Sequence, residues 1–115
     1  MLFRSAIADA PPGGILFHCY AGKDRTGIIA AALLSLAGVD GDDITADYML
    51  TQTYLRAILQ KLEDEGTDPV YTYMHPTIML EFLDHFNKKF GGLASYLETL
   101  PLPAGTLETI RRRLI

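Results

Sequence analysis

Pro11-Pro12-Gly13-Gly14 stands directly before the apolar run Ile15-Leu16-Phe17. Proline fixes φ and lacks an N–H, and glycine adds backbone freedom, so no helix continues through this stretch. An apolar run without alternation, bounded by turn residues, is the pattern of a strand buried on both faces. The spacing therefore predicts a strand over 15–17 and an α/β chain in which most of the remaining residues are helical. A strand buried in this way needs backbone partners on both edges. No other segment carries the same pattern. The expected partners are strands on the N-terminal side, a second chain, or the weakly coded segment 70–73.

The helical expectation rests on periodicity and punctuation. Residues 3–10 read as the end of a helix closed by the Pro-Pro-Gly-Gly stretch. A second helix is predicted over 26–37, with Gly38 placed to close it, and nine of the ten residues 28–37 are apolar. That run is too short for the roughly 20 residues of a membrane span and predicts a buried helix instead. Asp42 or Asp43 is the expected cap of a third helix, in which Ile44, Tyr48, Leu55, Leu59 and Leu62 recur at near-helical spacing. Pro76 suits the first turn of a helix reaching about Phe90, with Met79, Phe82, Leu83 and Phe86 along one face and Gly91-Gly92 ending it. Two shorter helices are expected over 93–100 and 106–114.

With 115 residues, one domain with a real core is the natural reading. The single cysteine excludes an internal disulfide and any multi-thiolate metal site, and favours a reducing, cytoplasmic compartment. A formal net charge of -4 argues against a nucleic-acid footprint. The one cationic run, Arg111-Arg112-Arg113, suits the C-terminal end of a helix dipole. His75 and His85 have no ligand-spaced companions, so no metal is expected.

The chemistry concentrates in residues 18–27, His-Cys-Tyr-Ala-Gly-Lys-Asp-Arg-Thr-Gly. A thiol placed just after a strand, before a glycine-containing loop and the N-terminus of an apolar helix, sits where backbone amides and the helix dipole favour its thiolate. The five residues between Cys19 and Arg25 are enough to curl into a cup whose amides face the oxygens of a tetrahedral dianion. The planar fork of Arg25 would complete that cup and hold two oxygens at once. A nucleotide-binding Walker loop is excluded, because Phe17 occupies its first glycine position and Asp24 follows the lysine.

The string His18-Cys19-x5-Arg25-Thr26-Gly27 resembles the signature of the cysteine-dependent protein-tyrosine phosphatase superfamily. The fuller His-Cys-x-Ala-Gly-Lys-Asp-Arg-Thr-Gly is similar to its bacterial branch of atypical tyrosine and lipid phosphatases. The likeness continues through Gly38-Val39, Asp47-Tyr48, Tyr96-Leu97-Glu98 and residues 107–114, nearly the whole chain. It implies a phosphatase-like α/β fold of which residues 1–115 are the C-terminal part, with the N-terminal sheet portion absent.

The resemblance implies hydrolysis of phosphomonoesters without a cofactor. Cys19 would form a phosphocysteine, and Arg25 with the amides of Tyr20, Ala21, Gly22, Lys23, Asp24 and Arg25 would bind the transferring oxygens. Asp24 is the candidate general acid; a loop-stabilising ion pair is its other reading. His18 is expected to be buried, either holding a loop carbonyl or as a satisfied core histidine, and Thr26 to donate a hydrogen bond to the sulfur, to start the helix, or to do both. Lys23 would be a second cation in the cup, which keeps phosphoinositides beside phosphorylated proteins as substrates. Asp47 and Tyr48 are candidates to face the site from the third helix, with an ordinary place on that helix as their other reading. A rhodanese-like sulfurtransferase and a catalytically silent phosphate-binding module are the competing functions. A partner chain or self-association would cover the sheet edge, no transmembrane segment is expected, and secretion would need a signal in an absent N-terminal region.

Overall fold

The computed structural model describes residues 2–115, with side chains from residue 6 onward. Its elements are α1 (Leu2–Asp9), α2 (Arg25–Leu36), α3 (Gly41–Tyr54), α4 (Arg56–Asp64), a 3-10 turn (Pro69–Tyr71), α5 (Pro76–Phe90), α6 (Leu93–Glu98) and α7 (Thr106–Leu114). No strand occurs among the described residues, which overturns the expected α/β class. Residues 14–19 belong to no regular element, and Leu16 is 91% exposed. The physical reason is pairing: three apolar residues become a strand only against a neighbouring backbone, and 70–73, the one internal candidate, closes into the 3-10 turn instead. Asp68 caps that turn by accepting from the Val70 amide at 3.0 Å.

α2 is central and packs against α3, α6 and α7, while α5 bridges α3 and α6, and α1 lies on α7. The core is built where these faces meet, from Ala31, Ala32 and Leu36 of α2, Ile44 and Tyr48 of α3, Met79 and Leu83 of α5, Leu93 and Leu97 of α6, and Ile110 of α7. Small alanines on α2 let its neighbours approach closely, so α2 is covered along that stripe, while Ile28 remains 46% exposed. The expectation of a wholly buried second helix is therefore corrected to one buried face.

The helix boundaries follow local chemistry. Ala37 and Gly38 donate back to Leu33 and Ser35, and Gly38 takes φ +85°, the left-handed closure. Asp40, rather than Asp42 or Asp43, caps α3: its carboxylate accepts from the Asp43 amide at 3.0 Å, leaving the two later aspartates in the first turn beside the helix dipole. The single helix expected through Leu62 divides at Leu55, which leaves Leu59 of α4 buried. His75 caps α5 through Nδ1, which accepts from the Thr77 amide at 3.2 Å. The terminal arginines are staples: Arg111 Nε donates to the Leu36 carbonyl at 2.9 Å, and Arg113 Nη2 donates to the carbonyls of Ala10 and Pro11. They tie α7 to the end of α2 and to the exit of α1.

Candidate active site

Cys19 lies at the base of the irregular segment 18–24 that runs into α2. The chain turns at Gly22, whose φ of +71° lies in the left-handed region that a side chain would oppose. This turn brings the backbone amides of Gly22, Lys23 and Thr26 toward the sulfur. The first turn of α2 leaves such amides available, because its helical ladder begins with Gly27 donating to the Lys23 carbonyl and Ile28 to that of Asp24.

The thiol is held well below its ordinary value, at about 6. The Thr26 hydroxyl is the largest cause, and the amides of Thr26, Gly22 and Lys23 add to it against the opposing effect of burial. A thiolate is favoured by hydrogen bonds that a neutral thiol accepts only weakly. Thr26 Oγ1 is buried and forms no hydrogen bond of good geometry within the protein. We read it as a donor held near the sulfur in a loose contact that the charged thiolate tightens. Cys19 itself is half-buried.

His18 is exposed rather than buried, yet its Nδ1 lies 3.2 Å from the Cys19 carbonyl, which is the loop-carbonyl contact expected of it. Tyr20 projects into solvent at 91% exposure and contributes its backbone to the loop. Arg25 is exposed at the first position of α2. Asp24 precedes it at the cap position but makes no side-chain cap bond; its carboxylate instead meets Lys23 Nζ at 2.7 Å.

Lys23 departs most from expectation. Its side chain is 3% exposed, and the ammonium also donates to the Tyr73 carbonyl at 3.4 Å. A buried ammonium with an acceptor on either side is a tether between the loop and the segment before α5, which corrects the expectation of a cation facing substrate in the cup. Sequence reasoning missed Tyr73 because a main-chain carbonyl fifty positions away leaves no residue pattern.

Behind the loop, between the start of α2 and α3, lies a cavity of about 130 Å³. Gly22, Thr26 and Gly27 form its loop side, and Asp47, Tyr48 and Thr51 face them from α3. Asp47 and Tyr48, the candidates on that helix, line this cavity behind the loop. Gly27 gives the ring of Tyr48 room here: a Cβ at this position would lie 3.2 Å from Tyr48 Cδ1, so the ring would have to give by a few tenths of an ångström. Burial, helped by the charge of Asp24, pushes the Tyr48 hydroxyl above its ordinary pKa, so it remains a proton donor. No group of three or more His, Cys, Asp or Glu side chains suited to a metal occurs among the described residues, and none of their helices is long and apolar enough to cross a membrane.

Residues 2–115 match the sequence model of a family described as the tyrosine phosphatase family. The chain is 32% identical to a tyrosine-protein phosphatase of Nostoc commune, over 94% of this chain and 41% of that protein. It is 30% identical to the triple specificity protein phosphatase PtpB of Mycobacterium tuberculosis, over 88% of this chain and 44% of that protein. It spans less than half the length of these curated relatives. No solved structure is significantly similar to it. A match along the whole described length, with a low-pKa cysteine at the base of an amide-lined loop, has one consequence: the chain belongs to the tyrosine phosphatase family.

Proposed function

We propose that this chain carries the phosphate-transfer site of a protein-tyrosine phosphatase, of single or dual specificity, that works through a phosphocysteine. The observation that carries the reading is the Cys19 thiol lowered to about 6 at the base of the loop that ends in Arg25. At neutral pH such a group is mostly thiolate, a nucleophile that needs no separate base.

In the first step the sulfur attacks phosphorus, the S–P bond forms and the ester P–O bond breaks. The leaving oxygen takes its proton from the Asp24 carboxyl, which delivers it after leaving its ion pair with Lys23 and taking up a proton. The fork of Arg25 and the loop amides of residues 20–25 hold the three remaining oxygens as their charge redistributes. In the second step water attacks phosphorus and gives a proton to the Asp24 carboxylate, the P–S bond breaks, and phosphate leaves. The Thr26 hydroxyl stabilises the departing thiolate. The cationic fork and the amides do the charge-stabilising work, so the sequence of steps calls on no cofactor.

The tethering of Lys23 by Asp24 and Tyr73 favours a phosphoprotein over a polyanionic lipid headgroup, because a cation already paired offers less to extra phosphates. The relative named a triple specificity phosphatase supports testing more than one substrate class. The unpaired thiol fits a reducing, cytoplasmic setting. The same reading takes residues 1–115 as the C-terminal part of one phosphatase domain, supported by the chain's span of less than half of each relative's length and by the segment 14–19, which belongs to no regular element. A partner chain or a second copy is the other source of backbone to cover it.

The test is hydrolysis of p-nitrophenyl phosphate, a phosphotyrosine peptide and a phosphoinositide by an active preparation containing this chain, with Cys19→Ser beside it. Turnover of the first two substrates, abolished in the variant, is expected. Undiminished activity in Cys19→Ser overturns the mechanism. Tight vanadate binding without turnover of any substrate points to a silent phosphate-binding module instead.

A further inference from the structure

Two buried hydroxyls border the cavity behind the loop, Thr26 Oγ1 and that of Tyr48; the phenol forms no hydrogen bond within the protein, and Thr26 Oγ1 forms none of good geometry. Tyr48 is 94% buried, being 6% exposed, with its ring against Gly27. A buried phenol without a partner is costly, and a fold retains one where something satisfies it. The cavity of about 130 Å³ is roomy for water, since one molecule needs only about 10–15 Å³ of such space. Its polar walls, Asp47, Thr51, Thr26 and Tyr48, supply the two to four partners that an ordered water requires.

We propose that Tyr48 is a positioning residue for the nucleophile: through water held in this cavity, its hydroxyl donates toward Thr26 Oγ1 and keeps the Thr26 proton aimed at Cys19 Sγ. A threonine hydroxyl has one proton and two lone pairs. When a donor occupies the lone pairs on the cavity side, the proton is directed to the other side, where the sulfur lies. Hydrogen bonds in such a chain polarise one another, so the contact to sulfur strengthens. Tyr48 suits the donor role because burial, reinforced by the charge of Asp24, keeps its proton on. Asp24 on the loop and Asp47 on α3 are the charged groups near it. The facing side chain of α5 is Met79, which does not titrate.

This inference rests on Cys19 being the nucleophile, but its readout does not require turnover. Cys19 is the only cysteine, so thiolate absorbance or iodoacetamide alkylation followed against pH in this chain reports one group. Tyr48→Phe keeps the ring on Gly27 and removes only the hydroxyl. Its alkylation midpoint is expected to rise from about 6, by about half to one unit, which is a roughly 3- to 10-fold lower thiolate-to-thiol ratio at the original midpoint. Thr26→Val should raise the midpoint as well, and adding Tyr48→Phe to it should raise it no further.

An unchanged midpoint in folded Tyr48→Phe overturns the proposal, as does a full additional shift when Tyr48→Phe is added to Thr26→Val. Should Tyr48→Phe lose its helical circular dichroism, Gly27→Ala takes its place, since the new Cβ pushes the ring aside by a few tenths of an ångström and carries its hydroxyl with it. A raised midpoint there supports the proposal, and an unchanged one overturns it. A silent phosphate-binding protein would pass all these tests, so failure of the phosphatase reading shows separately, in the turnover assay.

Discussion

The segment 14–24 and the helical body behind it are built on opposite terms. Along the segment, Leu16 and Tyr20 are each 91% exposed and Lys23 is the one buried side chain. In the body, Ala31, Leu97 and Ile110 are each 1% exposed at the meeting of α2, α6 and α7. The chemistry lies in nearly contiguous residues with little packing of their own, while the rigidity comes from helices far along the chain. Two features join them: the Lys23 tether to Asp24 and Tyr73, and the seating of Gly27 on Tyr48. A reactive loop can stay open to substrate and still hold its shape if a few contacts borrow stiffness from a core.

Breaking the body should have the largest effect. Leu97→Ala opens a void where α2 meets α6 and is expected to cost about 2–5 kcal/mol in chemical denaturation. If loop and body are separable, the fraction that remains folded keeps its alkylation midpoint near 6. A midpoint that moves toward an ordinary thiol value would mean that the core sets the electrostatics of the loop directly.

Titrating the loop sharpens the comparison from the other side. The folded thiol, at about 6, lies below its ordinary value of 9.0. A depressed pKa contributes stability that is fully present above the unfolded value and lost as pH falls through the folded one. The melting temperature of the native chain relative to Cys19→Ser should therefore improve as pH rises from 6 to 9.0, and the advantage should vanish below that window. A flat difference across the window would show that the loop does not hold a thiolate.

The smallest effect is expected at the α3 cap. Asp40→Ala removes the acceptor for the Asp43 amide and should cost about 1 kcal/mol in chemical denaturation. Since α3 carries Tyr48, a shift in the alkylation midpoint would show that fraying of its first turn reaches the site; none is expected, because Tyr48 lies more than a turn beyond the cap.

Most helices were legible because their signals are local. Pro76 opens α5 and Gly91, at φ +81°, closes it, while Gly38 follows α2 in the same left-handed conformation. Readings that required a choice among distant partners fared worse. Asp40, Asp42 and Asp43 are chemically equivalent caps on paper, and only the chain direction out of Val39 puts the Asp40 carboxylate on the Asp43 amide. The strand expected at 15–17 failed for a related reason: β structure lies in the pairing, and apolar residues alone do not bring a partner.

The order of residues by itself determined that the cysteine, the arginine six positions later, the glycine that turns the loop and the helix that follows come together, because these lie within one short stretch. Only the tertiary structure decided that Lys23 points inward to Tyr73, that the terminal arginines staple α7 to Leu36 and Pro11, and that Tyr48 stands behind Thr26. Each of these depends on how separate helices pack, and packing places together residues that no local pattern relates.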